Sequence, residues 1–262
     1  MKLATVVAPG SETPVAVEVR GDAVVEYDEG VTVLSLLSEG GPVPAASGPE
    51  HPLEECELLA PIPEPRVLYG VGLNYAAHAA EQGLEPPEQP IVFTMQPGSA
   101  AAPFGQVMAP PVVRRLDYEG ELAAVIGAGG KIAGYAVADD ISARDLQKRE
   151  RQWTRAKGFD GACPFGPWLT TADEVADPCA LMLRTWVNGE LRQESSTSDM
   201  IFSPQQVADF LGETFALCPG DVILLGTPSG VGMSMDPPRF LASGDVIRIE
   251  IDSLGSIEHV VA

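Results

Sequence analysis

One short stretch limits what this chain can become: Asp117 to Gly127, "DYEGELAAVIG", in which two glutamates stand at the mouth of an apolar run. The run is short enough and apolar enough for a buried β-strand. In a strand, side chains alternate between faces, so Glu119 and Glu121 point one way while Gly120 and Leu122 point the other. Burying one unpaired carboxylate costs on the order of several kcal/mol, and a second beside it costs more unless a cation or a shared proton compensates. Two arrangements satisfy that arithmetic. Either the strand end reaches water, or the acid pair faces a positive partner.

The surrounding chain is punctuated like a β-rich protein. "VAVEVRGDAVVEY" and "VTVLSLL" read as short alternating segments, and "LLAPIPEPRV" reads as a stiff linker. This pattern predicts a small β-rich N-terminal domain with its linker over residues 1–60 and a larger domain over 61–262. Within the latter, "VLYGVGLNY" is a strand running into a glycine-punctuated loop, and "AAHAAEQG" is a short helix stopped by Gly83. "MLRTWVNGELRQES" is a hairpin whose Asn188-Gly189 supplies the positive φ angles of a type I′ turn. In "SPQQVADFLGETF", Ser203 caps a helix, Pro204 fits its first position and Gln206 stands where a capping-box partner belongs. "CPGDVILLGTPSGVG" gives a turn, a buried strand and a glycine-rich loop, without the GxxxxGK[ST] pattern of a nucleotide-binding loop.

Charge narrows the partners. A formal charge of −21 and a pI near 4.3 argue against nucleic acid and anionic membranes, which require a basic footprint. An anionic substrate would need a local positive centre in that negative field, and a bound divalent cation supplies one. No apolar run approaches the ~20 residues of a membrane helix, and "MKLATVVAPGSETP" is too weak for a signal peptide, so a cytoplasmic location is expected. Cys56, Cys163, Cys179 and Cys218 have no CxxC spacing and read as buried free thiols.

A third acid joins the pair in "GYAVADDISARDLQ", where an apolar strand ends at Asp139-Asp140 ahead of a helix. The intervening "GAGGKIA" provides a turn that brings this strand beside the first. Three carboxylates at adjoining strand ends, with no His or Cys beside them, describe an oxygen-ligand site for a hard cation such as Mg²⁺ or Mn²⁺. The competing role for either aspartate is to cap the following helix.

Six segments, "GVGLNYAAHAAEQG", "DYEGELAAVIG", "GYAVADDISARDLQ", "QWTRAKGFDGACPFGPW", "VNGELRQESSTSDMIFSP" and "PGDVILLGTPSGVG", resemble the successive motifs of the fumarylacetoacetate hydrolase family. They occur in the family's order from about Val67 to the C-terminus. The resemblance implies a mixed α+β fold, a β-sheet roll with short flanking helices, and a homodimer. It implies Glu119, Glu121 and Asp140 as ligands of Mg²⁺ or Mn²⁺. Lys157 would be a fixed positive charge near the metal, and Gln147 and Thr227 would contact the substrate, Thr227 through its hydroxyl or through the loop's N–H groups. His78 and Glu81, in the pattern "NYxxHxxE", resemble the water-activating dyad of hydrolytic members. At i and i+3 on a helix, Glu81 can orient the imidazole and leave its other nitrogen free as a base. His51 and His259 fall outside any such pattern.

The chemistry implied is that of a 2-oxo acid chelating a metal and passing through an enolate. C–C bond hydrolysis of an acylpyruvate or fumarylpyruvate-like 2,4-dioxo acid is the first expectation. Oxaloacetate decarboxylation and 2-hydroxyhepta-2,4-diene-1,7-dioate isomerase-like proton movement are the alternatives, and a catalytically inactive metal-binding homologue is the alternative of another class. One departure stands out. Where many members carry a lysine after the phenylalanine of "PIVFTMQPGSA", this chain has Met95 or Gln96, so either Arg114 or Arg115 meets a second substrate anion or the substrate's tail is neutral.

Overall fold

The computed structural model describes all 262 residues. Strands β1 (Lys2–Val7), β2 (Pro14–Arg20) and β3 (Ala23–Glu26) form an antiparallel meander; after α1 (Val33–Ser38), β4 (Glu50–Pro52) pairs with β3 and β5 (Glu57–Leu59) with β1. The chain continues through β6 (Leu68–Gly72), α2 (Ala76–Glu81), β7 (Ile91–Met95), β8 (Ala100–Ala101), β9 (Phe104–Val107) and β10 (Leu116–Asp117). The long strands β11 (Gly120–Ile126) and β12 (Ile132–Asp139) lead through β13 (Ser142–Ala143) to helices α3 (Arg144–Arg149) and α4 (Thr154–Lys157). Strand β14 (Cys163–Thr171) precedes the hairpin β15 (Met182–Val187) and β16 (Glu190–Ser196). Helix α5 (Pro204–Gly212) and strands β17 (Val222–Leu224), β18 (Val246–Ile251) and β19 (Gly255–Val261) complete the fold.

The larger sheet runs β4-β3-β2-β1-β14-β12-β11-β17-β6-β7, mixed in direction because β17 and β6 pair in parallel. A second sheet, β16-β15-β18-β19-β9, packs against its middle. Every residue of β11 is buried because the strand divides two cores. Leu122, Ala124 and Ile126 join Leu183, Ile249 and Ile257 of the second sheet, whereas Ala123 and Val125 join Leu68, Met95 and Phe165 on the other side. The same alternation carries past the ends of β11 and β12 and decides where the acids go. Gly120 faces the second sheet, where a Cβ would meet Thr185, Ile249 and Gln193; Glu119 and Glu121 face away from it.

Local signals hold where they are strong. Asn188 and Gly189 adopt φ of 52° and 77° in the β15–β16 turn, and Ser203 and Gln206 form a reciprocal capping box on α5. Gly83 ends α2 with φ of 69°, and β11 pairs antiparallel with β12 as the Gly129-Gly130 turn requires.

Two expectations are corrected. "VTVLSLL" is not a strand: Thr32 and Ser35 make a capping box, and Val33, Leu36 and Leu37 bury one helical face. The N-terminal "KLATVV", which carried no strand expectation, is β1 and joins the N-terminal meander to β14 of the larger sheet. Of the cysteines only Cys163 is fully buried; Cys56, Cys179 and Cys218 are half-buried, although all four are free thiols. The proline-rich stretch lies against the protein, with Ala60, Pro61 and Ile62 buried and the Thr5 hydroxyl donating to the Pro61 carbonyl. No helix is long and apolar enough to cross a membrane.

Candidate active site

Glu119, at the entrance of β11, Glu121 within it and Asp140, just past the end of β12, meet on the face turned away from the second sheet. Their nearest oxygens lie within 4.8 Å of one another, and all three residues are buried. The backbone holds them there: the Asp140 N–H donates to the Glu119 carbonyl, and the Gly226 N–H donates to Glu121 Oε2 at 2.6 Å. Neither Asp139 nor Asp140 caps α3, whose first turn lacks a side-chain cap. Pleating sends these neighbours to opposite faces. Asp139 turns to the second sheet, accepts the Glu119 N–H at 2.8 Å and pairs with His259 Nε2 at 2.9 Å, while Asp140 faces the cleft.

Two buried cations sit among the acids. Lys157, at the end of α4, donates to Glu119 Oε2 at 2.5 Å and to Asp140 Oδ2 at 2.7 Å. Arg144, opening α3, pairs with Asp117 at 2.9 Å and with Glu119 Oε1 at 2.7 Å. Although burial disfavours its charge, Glu119 is held at about 2 because Arg144 and Lys157 outweigh that effect. Burial, only partly opposed by Lys157 and reinforced by Glu119, lifts Asp140 to about 7. Burial pushes the Glu121 carboxyl well above the usual range, and Asp140 and Glu119 push it further.

This donor set fits a hard divalent cation on its own chemistry. Asp117, Glu119, Glu121 and Asp140 oppose only Arg144 and Lys157, which leaves a deficit of two positive charges in a buried space. Asp140 Oδ1 is buried with no hydrogen-bond partner, and the cluster offers only oxygens. Glu119, Glu121 and Asp140 would hold the ion.

Above this floor opens a cleft of about 730 Å³ whose lining includes His78, Gln82, Phe93, Arg115, Gln147 and Trp153. His78 Nδ1 lies 2.6 Å from Glu81 Oε1, and Gln82 Nε2 lies 2.8 Å from His78 Nε2. With Glu81 ionised, Nδ1 carries the ring proton and Nε2 is left as the acceptor. The second oxygen of Glu81 accepts the Gly230 N–H at 3.1 Å, which ties the His78–Glu81 pair to the glycine-rich loop. Asn74 anchors the start of this segment through Phe202 and Leu225.

The fumarylacetoacetate (FAA) hydrolase C-terminal family model matches residues 67–262. The chain belongs to the fumarylacetoacetate hydrolase family. The oxaloacetate tautomerase YisK of Bacillus subtilis is 43% identical over 226 residues, 80% of this chain and 75% of its own. The rat mitochondrial oxaloacetate tautomerase Fahd2a is 40% identical over 245 residues, 89% of this chain and 77% of its own. Among solved structures, a fumarylacetoacetate hydrolase from Exiguobacterium antarcticum has a TM-score of 0.88 at 32% identity and covers 100% of this chain and 99% of its own. A 2-hydroxyhepta-2,4-diene-1,7-dioate isomerase from Mycobacterium marinum has a TM-score of 0.82 at 32% identity, covering 100% and 98%.

As a member of the fumarylacetoacetate hydrolase family, the chain brings all eight candidate residues to one place, seven on the cleft lining and Glu81 directly behind His78. The Thr227 hydroxyl donates to the Gly120 carbonyl and accepts from Gln193, which engages it within the protein and leaves the loop's N–H groups as the other of the two expected contacts. Gln147 Oε1 accepts from Arg144 at 2.9 Å. Met95 is buried, and Gln96 turns to Asp160 at 2.9 Å, so neither replaces the lysine common in the family. Arg114 spends its guanidinium on the Pro111 and Val113 carbonyls, whereas Arg115 lines the cleft. Sequence reasoning missed Asp117, Arg144, Gln193 and the Asp139–His259 pair. Asp117 and Arg144 lie inside the motifs, but nothing local marks them as partners.

Proposed function

We propose that the protein moves a proton on a 2-oxo acid, interconverting the enol and keto forms of a small 2-oxo dicarboxylate of the oxaloacetate class. The observation that carries this reading is the His78–Glu81 base over the three-carboxylate floor, in a chain 40–43% identical to relatives named as oxaloacetate tautomerases. A divalent cation bound to the floor would supply an electrophile for the acid's carboxylate and 2-oxo oxygens.

The chain's own residues supply the rest. His78 Nε2 takes a proton from C3 in the enolising direction and returns it to C3 in the ketonising one, while the oxygen at C2 takes a proton from solvent water or gives one back to it. Glu81 fixes the ring tautomer and balances the imidazolium that forms. Gln82 holds Nε2 until a substrate replaces that bond. Lys157 and Arg144 keep Glu119 ionised and fix its two oxygens, so the floor keeps its shape as charge moves above it.

Hydrolysis of an acylpyruvate uses the same base on water instead of carbon, and oxaloacetate decarboxylation uses the same floor; both rank below tautomerisation. The intact floor and dyad weigh against an inactive homologue. The test follows the ultraviolet absorbance of enol oxaloacetate with Mn²⁺ and with chelator, alongside pyruvate release from acetylpyruvate. Enol decay should be accelerated only with metal, and His78→Ala should slow it by ~10²- to 10⁴-fold with Mn²⁺ affinity retained. Pyruvate release from acetylpyruvate without acceleration of enol decay would reject tautomerisation in favour of hydrolysis.

A further inference from the structure

Acids outnumber bases 37 to 16 in this chain, so a cation left without an acidic partner is informative. Around the cleft most arginines are spent: Arg149 and Arg155 share Glu150, and Arg192 and Arg239 share Glu190. Arg115 and Lys148 are not. Both are exposed, both line the cleft, and neither makes an ion pair or a side-chain hydrogen bond.

Their placement is built into the fold. Arg144, Gln147 and Lys148 stand at i, i+3 and i+4 of α3 and share one face, so Lys148 lies about 6 Å further along the helix than Arg144. The Arg115 carbonyl accepts the Arg144 N–H at 2.9 Å, which sets Arg115 on the same wall. Its guanidinium lies 5.6 Å from the centre of the Phe240 ring, and the Leu241 N–H fixes that neighbouring segment by donating to the Leu116 carbonyl at 2.8 Å. The cleft lining also includes Phe93 and Trp153, and its two other cations, Arg144 and Lys157, are bound into the floor. Positive charge therefore lies at two depths: Arg144 and Lys157 among the carboxylates, and Arg115 with Lys148 further out.

We propose that Arg115 and Lys148 form a distal anion subsite that selects 2-oxo acids carrying a second carboxylate over monoanionic ones. This rests on the reading of the carboxylate floor as the 2-oxo acid site. The floor would take the 2-oxo carboxylate end common to both classes of acid, and the outer pair meets only the end that differs. Phe240 holds the guanidinium without neutralising it, which leaves the charge available to a carboxylate.

The test titrates the Mn²⁺-loaded protein with pyruvate and with 2-oxoglutarate, reading binding heat. The wild type should prefer the diacid, the preference should shrink as ionic strength rises, and Arg115→Gln/Lys148→Gln should lower the ratio of the two affinities by about tenfold, with Mn²⁺ affinity retained. Arg115→Lys should keep part of the preference, because it keeps the charge and loses the fork. A wild type without preference, or a double variant with an unchanged ratio, overturns the subsite. Failure of the tautomerase reading is seen separately: the diacid preference would persist in a protein that leaves the enol decay of oxaloacetate unaccelerated.

Discussion

Glu121 is the residue most out of place without a cation. Its carboxyl, like that of Asp140, is raised in the folded protein by burial and by its acidic neighbours. A raised carboxyl favours the fold below its unfolded pKa and forfeits that contribution as pH climbs toward the folded value. Glu119 runs the other way, but its loss lies near pH 2, outside the working range. The metal-free protein should therefore lose stability between about pH 4.5 and pH 7 and above. Because the bound ion displaces those protons, the rise in Tm on adding Mn²⁺ should be greater at pH 8 than at pH 5.5, by a few degrees in a thermal melt. A gain independent of pH would mean that these carboxylates are not the ligands. Glu121→Gln should raise the metal-free Tm by relieving repulsion and abolish the response to Mn²⁺, as calorimetric titration would show. The same residue was legible in the sequence, since its period-2 spacing from Glu119 needs only local information. Arg144 with Asp117, 27 positions apart, and His259 with Asp139, 120 apart, were not, because no pattern along the chain announces a pairing made by topology.

At the scale of the element, β11 is a wall with a different tenant on each face, and at Gly120 the second sheet comes too close to leave room for a side chain. The Gly120 N–H donates to Gln193, the Gly120 carbonyl accepts from Thr227, and a Cβ would collide with Thr185. Gly120→Ala should cost about 1–3 kcal/mol in chemical denaturation, as overpacking does, and should also weaken Mn²⁺ binding by shifting both flanking glutamates. Normal Mn²⁺ affinity in a destabilised variant would show that the floor tolerates displacement of its strand. The elements that sequence identified well, α5 and the β15–β16 hairpin, carry their instructions in caps and turn residues. Helix α1 was misread because six residues with four apolar side chains fit either period, and only the Thr32–Ser35 box, a weaker signal than Ser-Pro-x-Gln, decides for helix.

At the scale of the molecule, the N-terminal strands and the family-matched region share one sheet through β1 and β14, and one core holds Leu3, Ala16 and Val25 together with Leu68, Phe165 and Val222. We propose that the 1–60 segment, though distinct in its sequence texture, is not an independent folding unit. Differential scanning calorimetry should show one transition; two resolved transitions would establish a separable domain. The cleft divides along a different line. Its charged floor is woven into the larger sheet and the first turns beyond it, where each carboxylate answers to several partners. The His78–Glu81 pair, by contrast, rides on six residues of α2, with Ala76, Ala77 and Ala80 exposed, Ala79 buried, and its hold on the body made through Asn74 at one end and Glu81 at the other. In evolutionary terms this is a fixed anvil beneath an exchangeable tool. Substitutions on α2 are expected to change how a proton is handled while folding and Mn²⁺ affinity are kept, because none of the three clustered carboxylates lies on that helix.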